Sequence, residues 1–185
     1  MVDLSLLQSA SYIVGALGVG VAAFYYVMTL RVQQTNMVHT LETRRIALIE
    51  SVTIRTTNEE GMRSWFELLR YEWKDYEDFE RKYGSENNPN AAAKRYGTWA
   101  TYNSIGSMLR KEMVGAEDLY DIGLVSSVFL WEKFGSIIDE IRRRYMGRYY
   151  LRDLEYLAGE MNRVGRQKDP SFKVPETLDK FIPDK

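Results

Sequence analysis

The chain has no cysteine, which removes disulfides, zinc-thiolate sites, iron-sulfur clusters and thiol nucleophiles together. Histidine is nearly as scarce. His39 is the only one, so a His-rich metal site or a Ser-His-Asp triad is hard to assemble within one chain, and the Glu-x-x-His pairs of di-metal bundles are excluded. An excess of one charge is missing too: 25 Lys plus Arg stand against 26 Asp plus Glu, so net charge gives no argument for nucleic acid. No stretch shows the sustained alternation and hairpin turns of strands. No catalytic residue, cofactor or metal site is expected from these residues.

The most informative absence is local. Between Asp3 and Arg31 there is no Asp, Glu, Lys, Arg or His, and as a helix at about 1.5 Å per residue the segment Tyr12 to Leu30 just crosses a hydrocarbon core of roughly 30 Å. A cleaved signal peptide would want a positive n-region and an A-x-A-like site, and Met1-Val2-Asp3 and Arg31-Val32-Gln33-Gln34 supply neither. A buried helix of a soluble protein seldom stays uncharged for so long. The expectation is a single-pass anchor over residues 1–30, with the lipid bilayer as partner.

Arg31, Arg44 and Arg45 follow the apolar run and no Lys or Arg precedes it. The positive-inside bias then puts the N-terminus outside and the C-terminal part in the cytoplasm, at the cell membrane. Ser11, Gly15, Gly18 and Ala22 recur at steps of four and three, a small-residue groove through which two copies could self-associate in lipid.

Residues 31–56 contain neither Pro nor Gly and read as a helical stalk in which Ile46, Leu48, Ile49 and Val52 pack on the following domain. Residues 57–168 read as a bundle of about four main helices. Thr57 and Glu60 form a capping box opening one helix to about Tyr83, with Met62, Trp65, Phe66, Leu69, Trp73, Tyr76, Phe79 and Tyr83 on its core face. The acids Glu67, Glu72, Asp75, Glu77, Asp78 and Glu80 belong to its solvated face. Asn88 and Pro89 open the next helix, to about Val114, and Gly97 and Gly106 within it predict close helix-helix contact.

Gly115 is the expected C-terminal cap of that helix, followed by a short helix to Ile122. A densely apolar helix then spans Leu124 to Tyr145, with a kink suggested at Gly135-Ser136, and a last one runs from Tyr149 to about Gln167. The segment 169–185, with Pro170, Pro175 and Pro183, is expected to drape over the bundle through Phe172, Val174, Leu178, Phe181 and Ile182. Arg142, Arg143, Arg144, Arg148 and Arg152 gather at one turn. They are the candidate site for anionic lipid or another anionic ligand, although positive residues also simply favour a helix C-terminus.

At Asn103-Ser104-Ile105-Gly106, Ala116-Glu117-Asp118-Leu119-Tyr120, Trp131-Glu132-Lys133-Phe134 and Tyr156-Leu157-Ala158, the chain resembles a group of uncharacterised prokaryotic proteins. In these an N-terminal transmembrane helix precedes a small helical domain of unknown function. The resemblance implies an all-α architecture and no catalytic residues. The functional expectation is a membrane-anchored, non-enzymatic interaction or scaffold module with an unknown protein partner. A membrane-proximal sensor of anionic lipid or ligand is the alternative, and an enzyme of unknown chemistry the third.

Overall fold

A computed structural model describes residues 4–173. All regular structure in that range is helical: α1 (Leu4–Thr57), α2 (Glu59–Leu69), α3 (Tyr76–Tyr83), α4 (Pro89–Arg110), α5 (Ala116–Asp121), α6 (Ser126–Ile141), a π-helical turn (Arg142–Met146) and α7 (Arg152–Lys168). The chain divides into two compact units, Met1–Ile46 and Ala47–Lys185. The last turns of α1 therefore belong to the second.

In the first unit α1 is long and apolar enough to cross a membrane, and none of its apolar window is buried. Tyr12, Leu17, Phe24 and Tyr25 all lie exposed. In the second unit α7 packs along α4 and α6, α5 rests on α7, and α2 and α3 lie on α4. Trp99, Phe79, Phe134, Leu130, Ile138, Leu154 and Leu157 form its fully buried centre. Val52 is buried and Leu48 and Ile49 pack against that core, whereas Ile46, expected with them, is exposed.

Two side chains fix where α7 begins. Leu151, at its entry, has a positive φ of 53° and offers no capping oxygen, so the first amides of α7 must find acceptors elsewhere. Asn103 on α4 supplies one: its Oδ1 accepts from the N–H groups of Asp153 and Leu154, each at 3.2 Å. Arg110 then holds the Asp153 carboxylate with Nε at 2.7 Å and Nη2 at 3.2 Å. Gly106 lies between them, where a Cβ would fall 1.8 Å from the Asp153 carbonyl oxygen. The Asn103–Gly106 stretch is thus the α4–α7 crossing.

Several expectations need correction. The helix read from Thr57 to Tyr83 is two helices separated at Arg70–Asp75. The aromatic spacing persists across the gap because Trp73 still points inward, meeting Phe79 edge-on at 5.2 Å and stacking with Phe134 at 5.3 Å. Asp75 restarts the helix by accepting from the Asp78 N–H at 2.8 Å. Asn58, not Thr57, caps α2, its Oδ1 taking the Gly61 N–H at 2.7 Å; the Thr57 hydroxyl instead donates to the Thr53 carbonyl. Phe66 lies outside the core.

Asp78 is not on a solvated face. It is buried, accepts from the Lys74 N–H, and pairs with Arg81 and Lys82; those bonds, Lys82 foremost, hold its carboxyl down at about 2. Gly97 makes no close contact. Helix α4 ends at Arg110, the left-handed residue beyond it is Glu112 (φ 57°), and Gly115 begins α5. Helix α6 runs unbroken through Gly135 and Ser136, and the irregularity comes later, in the π-helical turn. Helix α7 starts at Arg152, not Tyr149. Phe172 meets Tyr120 and lies close to Gly165; Val174, Leu178, Phe181 and Ile182 lie outside the described residues.

Candidate functional site

The arginine turn comes first because the sequence singles it out. Arg142 is 12 % exposed at its side chain: Nε donates to the Tyr150 carbonyl at 2.8 Å, Nη1 pairs with Asp139 and Glu155 at 3.0 Å each, and the guanidinium lies over Trp131. Arg143 donates to Glu140 at 2.9 Å, and Arg144 bridges Glu140 at 2.6 Å to Glu77 at 2.7 Å while covering the Tyr76 ring. These pairs pull the Glu140 carboxyl down to about 2, Arg143 contributing most. Two of the five cations, Arg142 and Arg144, are therefore taken up in tying α3, α6 and α7 together, and Arg143 is paired locally with Glu140.

Arg148 and Arg152 differ. Their guanidinium carbons lie 4.7 and 5.2 Å from the centre of the Tyr149 ring, and Arg152 reaches Asp153 only at 3.5 Å. Tyr149 is 61 % exposed, beside exposed Tyr145 and Met146. The tip of the turn is an aromatic and basic surface, whereas its base is a closed ion-pair network.

A second site is absent from the sequence reading. The α2–α3 connection (Trp73, Lys74, Asp75), Tyr76 at the start of α3 and one face of α6 (Trp131 to Glu140) line an open cleft of about 740 Å³. Lys133 contributes to its floor. The residue is 2 % exposed, its ammonium 5.1 Å from the centre of the Trp73 ring, and burial pushes its pKa down to about 8 against the opposing pull of Glu72. Two of the lining carboxylates are paired with arginines, Asp139 with Arg142 and Glu140 with Arg143 and Arg144. The cleft thus has a buried amine beside the Trp73 indole in its floor, with Tyr76 also in its lining. Lys133 lies four residues before Ile137 and three after Leu130, so a cation inside the apolar arc was the available signal.

No protein-family model matches the chain, and no match was found among curated proteins or solved structures. The geometry stands alone. Among the described residues no group of three or more His, Asp or Glu side chains is placed to hold a metal ion. His39 is exposed, its Nδ1 3.9 Å from Glu42. Ser11, Gly15, Gly18 and Ala22 are exposed along α1, and a Cβ at Gly15 or Gly18 would meet nothing within 4 Å.

Proposed function

We propose that the chain is a single-pass membrane protein whose C-terminal body is a non-enzymatic binding module held at the cytoplasmic face, the N-terminus lying outside. The observation that carries this is a helix of membrane-spanning length with none of its apolar window buried, joined to a unit with its own core. In water so large an apolar surface would be a liability, and lipid removes it. Arg31, Arg44 and Arg45 support the orientation. Full-length protein is expected in the carbonate-resistant membrane fraction, with its body shielded from protease added to intact cells. Recovery in the supernatant, or digestion of the body from outside, would reject the placement.

Self-association through Ser11, Gly15, Gly18 and Ala22 belongs to the same reading. A Cβ added at Gly15 or Gly18 meets nothing within 4 Å, so a larger residue there is expected to report on a neighbouring copy. G15L/G18L is expected to abolish crosslinked dimer in native membranes without changing protein level. Undiminished dimer would show that this groove is not the contact.

The exposed tip of the arginine turn favours a second role, contact with anionic lipid. Tyr145, Met146 and Tyr149 supply interfacial side chains, and each of Arg148 and Arg152 is worth about 1 kcal/mol near a negative surface, roughly fivefold in partitioning. The body alone, Ala47–Lys185, holds every buried apolar residue of the described chain and so is the species to float. R148A/R152A is expected to weaken its flotation with anionic vesicles by roughly 25-fold and leave neutral vesicles unaffected. Binding that ignores vesicle charge would remove this role.

A further inference from the structure

Arg95 lies on the inward face of α4 with no surface reaching solvent. Its Nε, Nη1 and Nη2 have no hydrogen-bond partner, and neither has the indole Nε1 of Trp99, one turn further along and equally buried. Those nitrogens carry only donors, five N–H on the guanidinium and one on the indole. Arg142 Nη2, the other buried side-chain nitrogen without a partner among the described residues, is again a donor. The interior is short of acceptors, not of donors.

Three rings surround the guanidinium, with Phe79, Tyr96 and Trp99 centred 4.7, 4.8 and 5.1 Å from its carbon. Ring faces attract the cation but are poor acceptors for its N–H groups. Glu67 on α2 and Asp78 and Glu80 on α3 are engaged elsewhere: Glu67 with Lys94, Glu80 with the Tyr76 hydroxyl, Asp78 with Arg81 and Lys82. The nearby phenols bring no negative charge either, since burial pushes Tyr71 and Tyr150 up to about 12, and the Tyr71 hydroxyl donates to the Ala91 carbonyl.

We propose that Arg95 and Trp99 form a buried binding site for a small anion, of the size of a halide or a short carboxylate, inside the C-terminal body. An anion supplies acceptors and the missing charge at once. Water would supply acceptors but would bring two further donors per molecule into a place already rich in them, and would leave the buried charge unpaired. The enclosure of both side chains keeps the ligand small.

The test uses the full chain in detergent, with thermal unfolding followed by tryptophan fluorescence while sodium bromide replaces sodium gluconate at constant ionic strength. A saturable rise of roughly 3–6 °C is expected for the wild type once bromide exceeds its Kd about tenfold. Arg95→Met is expected to lose the bromide dependence while melting at or above the wild type in gluconate, and Trp99→Phe to move half-saturation to higher bromide. No bromide response in the wild type, or an equal response in Arg95→Met, overturns the site. If Arg95→Met does not fold, wild-type crystals grown in bromide decide: an anomalous peak beside the guanidinium supports the proposal, and water alone there overturns it.

Discussion

Gly106→Ala is expected to remove at least about 3 kcal/mol from the stability of the C-terminal body. The added Cβ would lie 1.8 Å from the Asp153 carbonyl oxygen and 2.5 Å from its carbon. Both belong to backbone, so no rotamer change relieves the overlap, and α4 and α7 must separate. Separation stretches the two bonds by which Asn103 caps α7, and the Arg110–Asp153 pair as well. Alanine's better helix propensity returns only about 1 kcal/mol. Gly97→Ala is the internal control: same helix, same chemistry, open space around the new methyl, and an expected gain of up to about 1 kcal/mol. Equilibrium denaturation of both variants measures the difference. If Gly106→Ala unfolds within about 0.5 kcal/mol of wild type, the close α4–α7 crossing is wrong. With total stabilities typically near 5–15 kcal/mol, the expected loss is a large fraction of the whole.

How far these features could be read from the sequence depended on whether a residue's signal was local. The uncharged run to Leu30, the Asn88–Pro89 helix start and the apolar stripes of α6 and α7 are local patterns, and the helices stand close to where those patterns place them. The break at Arg70–Asp75 was hidden because Trp73 keeps the three- and four-residue spacing while leaving the helix, and Asp75 is one capping acid among many exposed ones. Asn103 and Gly106 were visible as polar and small residues in α4, yet their use depends on Asp153 and Leu154, about 50 residues on. Arg95 and Lys133 sat within apolar arcs, where a long cationic side chain most often lies along the surface with its head in water. Only three-dimensional packing shows that both are fully enclosed.

Lys133→Met is expected to be more stable than wild type at pH 7, by up to about 3 kcal/mol before subtracting the lost contact with Trp73. The direction follows from the lowered pKa, about 8 when folded against an ordinary 10.5. Below pH 8 the amine is charged in both states, and the folded protein carries the full penalty of enclosing it. Between pH 8 and 10.5 the unfolded chain holds a proton that the folded one has released, so wild-type stability climbs with pH. Lys133→Met has no such proton, and its advantage should shrink across that window and vanish above it. Chemical denaturation of both proteins from pH 7 to 11 measures the gap. A gap that does not change with pH would mean the ammonium is well hydrated, and the cleft would lose its claim as a binding site. A closing gap would show that the fold retains, beside Trp73 and against its own stability, a cation that packing alone would replace with methionine.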